Sequence, residues 1–231
     1  MRIYLPAILF LFLFLSPEDS WAEKNYRVVV FGDSIISGFQ FQPQESFPAK
    51  LEQRLRASGY DHLEVINLSK DNLSSANAIA QTDLVAQKLP DVIILQLGFN
   101  DTARGVLASA IHYNLNTIIY ELKKTGAYLI LVGSPASNSR EEGYDREVET
   151  NFYNLATSNN IPLYPSALEG IINNPELTMA DGKHPNAAGV EIMVNGLLPF
   201  VDTGLRWRYE VYKQEIDQMK KEQGITALPP P

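Results

Sequence analysis

Cysteine is absent from the 231 residues, histidine occurs three times and tryptophan twice. Without cysteine there is no disulfide, so an ordinary apolar core must hold the fold. Three scattered histidines and no thiols give no convincing metal-ligand set, and neither a metal nor another cofactor is expected. Basic side chains are outnumbered 19 to 27, for a formal charge of −8. A chain this acidic lacks the field that gathers nucleic acid or anionic lipid, so neither is an expected partner. No Gly-rich phosphate loop follows the first strand, which argues against a nucleotide site. No Gly-x-Ser-x-Gly elbow occurs, which sets aside the usual α/β-hydrolase arrangement. There is no internal repeat, and low complexity is confined to the terminal Leu228-Pro229-Pro230-Pro231.

One long apolar run is present, Ile3 to Leu15, behind Met1-Arg2 and ahead of Ser20-Trp21-Ala22, whose small residues stand where a signal peptidase reads. The pattern predicts a signal peptide over 1–22 with Glu23 as the first mature residue, hence a periplasmic or secreted protein. The run is short for a bilayer, and no cysteine can carry lipid, so no stable membrane anchor is expected after cleavage. The roughly two hundred remaining residues suit one domain. Its expected span is 23–204, followed by a helical extension and Pro-rich tail over 205–231.

Five apolar stretches alternate with helical patterns: Val28 to Phe31, Leu63 to Leu68, Val92 to Leu97, Tyr128 to Val132 and the weaker Ile161 to Tyr164. Strands apolar throughout and separated by helices predict an α/β fold with a parallel sheet covered on both faces. Ser46 is a cap for a helix with Phe47, Leu51 and Leu55 inward, stopped by Gly59. A second helix is expected from Ser75 to Leu89, with Ile79, Ala80, Leu84 and Val85 inward. The third runs from Val106 to Lys124 over Ile111, Leu115, Ile118, Ile119 and Leu122, the fourth from Glu147 to Ser158 over Val148, Phe152 and Leu155. A fifth spans Asn186 to Phe200. After Gly204, Arg206 to Glu222 reads as a separate amphipathic helix packed on the domain, with a helix in weak partner contact or on a membrane surface as the alternative.

The first strand breaks at Gly32 and delivers Ser34 at its carboxyl end, where chemistry collects in open α/β sheets. A serine hydroxyl is a weak nucleophile near neutral pH and needs a base, a group to orient that base, and donors for an oxyanion. His62, ahead of the second strand, and His112, inside a helix, read as surface or packing residues. His184 sits in Asp181-Gly182-Lys183-His184-Pro185-Asn186, a polar loop before a helix, three residues after a carboxylate that can hold its ring. An Asp-Gly turn before a Pro-started helix accounts for Asp181, Gly182 and Pro185 but leaves His184 unexplained. Asn100, in Leu97-Gly98-Phe99-Asn100-Asp101, leaves the third strand where its amide can face Ser34; the alternative is an Asx helix cap, which fits Asp101 equally. The Ser34 backbone N–H is a second donor, and the loop Ser69-Lys70-Asp71-Asn72 can supply a third.

Gly32-Asp33-Ser34, Gly98-x-Asn100-Asp101 and Asp181-x-x-His184-Pro185, in this order at strand ends, resemble the SGNH (GDSL-type) hydrolases, specifically the periplasmic arylesterase, thioesterase and lysophospholipase branch. Leu97 to Gly105 looks like that branch's third block and Asn67-Leu68-Ser69 like the opening of its second. The resemblance covers about Tyr26 to Leu198. It implies a three-layer, flavodoxin-like fold with a five-stranded parallel sheet. It further implies Ser34 as nucleophile, His184 as base and Asp181 as its orienting carboxylate, with an oxyanion hole made by Ser34 N–H, Asn72 N–H and the Asn100 side chain. Two positions depart from the family pattern. Asn72 stands where the second block has glycine, a substitution that asparagine's tolerance of left-handed backbone allows. Phe99 stands where glycine is common; with Ile35 it is expected to line the substrate pocket and alter substrate preference.

These features predict a serine esterase acting on a small carboxylic ester or thioester. The same blocks serve a carbohydrate O-deacetylase or an acyltransferase, since they specify acyl chemistry and not the acceptor. A catalytically silent binding protein, its oxyanion hole closed by Asn72, is the reading from another class.

Overall fold

The computed structural model describes residues 24–136 and 143–223; the expected signal peptide and the Pro-rich tail lie outside them. Five strands, β1 (Tyr26–Gly32), β2 (Leu63–Asn67), β3 (Val92–Gln96), β4 (Tyr128–Val132) and β5 (Leu163–Tyr164), form one sheet in the order β2-β1-β3-β4-β5. Every neighbouring pair is parallel. The helices are α1 (Ser34–Ser37), α2 (Phe47–Ala57), α3 (Ser75–Ala78), α4 (Thr82–Ala86), α5 (Phe99–Ala103), α6 (Ala108–Lys123), α7 (Tyr144–Asn159) and α8 (Ala187–Glu222). The chain winds one way from β1 to β2 and then returns to the other side of β1, so the crevice at the carboxyl ends opens between β1 and β3.

Alternation along the strands builds two cores. Val28, Val30, Val92, Ile94, Ile130 and Val132 face a layer completed by Leu51 and Leu55 of α2 and Met193 and Leu197 of α8. Val29, Phe31, Ile93, Leu95, Leu129 and Leu131 face the other, filled by Ile111, Leu115 and Ile118 of α6 and Val148 and Phe152 of α7. The strands are apolar at successive positions because both faces are covered.

Several helices follow the sequence closely. Ser46 caps α2, its hydroxyl accepting from Ala49 N, and the five expected inward positions of α6 are all buried. Two expectations fail. The helix expected from Ser75 to Leu89 is broken into α3, a 3₁₀ turn at Ile79–Gln81, and α4. The tighter turn rotates the inward face, so Ala78, Thr82 and Val85 are buried while Ala80 and Leu84 are exposed. At the C-terminus, the two helices expected on either side of Gly204 are one helix of 36 residues. Pro199 lies on its exposed side, where water can take the carbonyl the ring leaves unpaired. Gly204 is a packing residue rather than a stop: a Cβ there would stand 2.5 Å from Tyr128 Cδ1 and 3.0 Å from Cγ. Beyond it Trp207 stacks on Tyr128 at 5.6 Å, and Arg208 pairs with Asp91 at 3.4 Å, so the helix stays on the domain.

Gly204→Ala sets two effects against each other. Helix propensity gains about 1 kcal/mol, while overpacking against a ring fixed near its Cβ costs about 1–3 kcal/mol. The expected outcome, measured by chemical denaturation, is net destabilisation.

Candidate active site

Ser34 is placed by a short turn. β1 ends at Gly32, and Asp33 caps α1 by accepting from Ile35 N at 3.0 Å, which makes Ser34 the first residue of that helix with 8 % of its surface exposed. Asp33 itself is fully buried. Its second oxygen and both amide atoms of the adjacent Gln96 lack hydrogen-bond partners among the described residues. Burial pushes the Asp33 carboxyl up to about 7, and the bond from Ile35 N–H offsets this only in part.

The third strand delivers the next group. Gly98 takes φ +115, turning the chain straight from β3 into α5, and its conformation explains why the helix starts at Phe99. The cap of α5 is therefore this glycine, and Asn100 is freed from capping. The Asn100 amide donates to Leu73 O at 3.2 Å, which aims its plane; its second N–H has no partner among the described residues. Asp101 is spoken for elsewhere: it accepts from Ser75 N at 2.9 Å and Ser75 Oγ at 2.7 Å, tying the loop after β2 to α5.

That loop is held from three sides. Lys70 N donates to Gly32 O at 3.0 Å, Ser37 Oγ to Asp71 Oδ1 at 2.9 Å, and Arg104 Nη2 to Asn72 O at 3.1 Å. Asn72 has φ +60, the left-handed conformation a glycine would adopt without cost. An asparagine there is compatible with the backbone path the family's glycine implies.

His184 arrives from the loop before α8. Asp181 Oδ1 accepts from Lys183 N at 2.9 Å and His184 N at 3.0 Å, while Oδ2 meets His184 Nδ1 at 2.5 Å. The other ring nitrogen, Nε2, lies 2.9 Å from Ser34 Oγ, across 150 residues of sequence. Partial desolvation pushes the Asp181 carboxyl up, but the bonds from the His184 ring and the two backbone N–H groups outweigh it and leave the acid below its ordinary range. An ionised carboxylate only accepts, so Nδ1 carries the proton and Nε2 offers its lone pair to the Ser34 hydroxyl.

Aromatic rings flank the imidazole. Phe39 lies over it with centroids 4.6 Å apart and a 38° tilt, and Phe99 meets it edge-on at 6.4 Å. Phe99 and Ile35, 4 and 2 % exposed, both present little surface to a ligand, so neither forms the open pocket wall expected from the sequence. Phe39, Phe41 and Arg104 were not singled out by sequence reasoning; the run Gly38-Phe39-x-Phe41 just after the serine turn was the available signal. His62 and His112 stand away from Ser34, one exposed before β2, the other on α6. A groove of about 1040 Å³ lies by Tyr128, Ile161 and Trp207 at the amino ends of β4 and β5, remote from this chemistry. Among the described residues no cluster of potential ligands could hold a metal.

The buried Asp33 yields a prediction. A carboxyl raised to about 7 when folded and ordinary when unfolded stabilises the fold below about pH 4 and loses that stability as pH rises towards 7. Asp33→Asn cannot ionise. Its melting temperature, followed from pH 4 to pH 7, is expected to lack a decline in the wild type worth at most about 1.4 kcal/mol per pH unit.

Known proteins similar to this chain are esterases and acylhydrolases. An arylesterase from Vibrio mimicus is 32% identical over 178 residues, 77% of this chain and 87% of that protein. Thioesterase 1/protease 1/lysophospholipase L1 of Escherichia coli K12 is 27% identical, over 76% of this chain and 83% of its own. The crystal structure of AlinE4, an SGNH-hydrolase family esterase, superposes with a TM-score of 0.64 at 30% identity, covering 79% of this chain and 97% of that one. The profile of the GDSL-like lipase/acylhydrolase family matches residues 30–192, a span that holds Ser34, Asn72, Asn100, Asp181 and His184, and the chain belongs to that family.

Proposed function

We propose that this protein is a serine esterase that hydrolyses carboxylic esters or thioesters through an acyl-enzyme. The observation that carries the reading is the chain of bonds from Asp181 through His184 to Ser34, 2.5 and 2.9 Å, with the Asn100 amide at the neighbouring strand end. Ser34 Oγ attacks the acyl carbonyl as His184 Nε2 takes its proton. The carbonyl oxygen, now negative, is received by the Asn100 amide and by the backbone N–H groups of Ser34 and Asn72. His184 returns the proton to the leaving oxygen or sulfur, and water then releases the acyl group by the reverse path. Names among the relatives, arylesterase and thioesterase/lysophospholipase, support the ester and thioester classes. The leader-like segment 1–22 supports an exported enzyme, and no helix of the described residues is long and apolar enough to cross a membrane.

Substitutions at three positions test the proposal with short p-nitrophenyl esters and a fluorophosphonate probe. Ser34→Ala is expected to lose labelling and turnover together. A wild type that is unlabelled and no faster than Ser34→Ala sinks the reading. Asn100→Ala is expected to lower kcat by about 10²–10³-fold while labelling persists at a reduced rate. Asn72→Gly keeps the backbone N–H in the same conformation and should retain activity, whereas the β-branched Asn72→Val, strained at positive φ, should lower it.

A further inference from the structure

Phe39 is the aromatic ring nearest the proposed base. Its centroid lies 4.6 Å from that of His184, and unlike Phe99 it is only half-buried. The narrow space it shares with Ser34 and His184 is walled by Ile35, Phe41, Phe47, Pro185 and Val190. Ile35, Phe47 and Val190 are 2, 1 and 3 % exposed, so the ring is backed by core rather than by a cavity into which it could swing.

The position of His184 decides which part of a substrate this ring meets. In acylation the bond from the acyl carbon to the leaving oxygen breaks, the electron pair departs with that oxygen, and His184 Nε2 gives it the proton taken from Ser34. The leaving group must therefore come within a hydrogen bond of Nε2, beside the rings that pack on the imidazole, of which Phe39 is the more exposed. The oxyanion is received by the donors at Asn100 and Asn72 and makes no demand on this ring. The uncovered rim of this half-buried ring, fixed at this point, is a surface against which a planar leaving group packs edge-on or offset.

We propose that Phe39 is a specificity-determining residue that selects esters of aromatic alcohols by stacking the leaving ring beside His184. This rests on the reading of Ser34 as nucleophile and His184 as base. Its effect is confined to acylation, because the leaving group has gone before water attacks the acyl-enzyme.

The test compares phenyl acetate with 2,2,2-trifluoroethyl acetate, an activated ester without a ring. Both pass through the same acetyl-enzyme, so a change in the ratio of their kcat/KM values reports on the leaving group alone. Phe39→Ala is expected to lower that ratio by about tenfold, and Phe39→Tyr, which keeps the ring, to hold it within about twofold of wild type. Should the alanine variant fail to fold, Phe39→Leu carries the same expectation. A ratio unchanged in Phe39→Ala or Phe39→Leu, with both esters slowed equally, overturns the proposal and leaves the ring a prop for the imidazole. A fall in Phe39→Tyr as large as in Phe39→Ala overturns it as well. Failure of the underlying reading would look different: the wild type itself would hydrolyse neither ester and escape the fluorophosphonate.

Discussion

The bond between Ser34 and His184 joins the end of β1 to the loop before α8, and most of the architecture is arranged so that those two points meet. A bond of 2.9 Å between residues 150 apart requires every intervening element to be placed within a fraction of an ångström. Parallel strands with covered faces supply that accuracy, because each crossover returns the chain to the same edge of the sheet. α8 then locks the last loop down: Asn186 caps it, accepting from Ala188 N and Gly189 N, and its inner face of Val190, Met193 and Leu197 packs on the sheet.

Around this bond the site is assembled from three loops that hold each other. Asp101 binds the β2 loop, Arg104 binds Asn72, and Leu73 aims Asn100. These contacts are local, short and polar, and they sit on rigid strand ends. In the proposed reaction, such an arrangement would hold donors in place for a developing negative charge instead of reorganising them. Asp33 is the exception in character. It is a buried acid pushed up towards neutrality beside an unpaired amide, held there because its other oxygen caps the turn that presents the serine.

Much of this was legible in the residues. The apolar runs predicted all five strands, and the serine, the histidine and the asparagine could be picked out because each stood where a strand ended. The break between α3 and α4 was not legible, since Ser75 to Leu89 keeps a helical spacing that a single 3₁₀ turn overrides. Gly204 misled for a related reason: in isolation glycine stops a helix, and only the Tyr128 ring beside it explains its place inside one. Phe39 was missed because nothing in its own neighbourhood says which side chain from residue 184 will lie against it.

By itself the sequence determined the periods and the chemical types: where strands lie, which residue can be nucleophile, which can be base, and that no disulfide is available. These are properties of short stretches, governed by local sterics and side-chain chemistry. Tertiary structure alone decided that Asn72 takes the left-handed path of a glycine, that Asn100 is freed from capping by Gly98, and that Phe39 covers the imidazole. Each of these depends on a distance between residues far apart in the chain, set by packing across the two cores, to which local propensity carries no information.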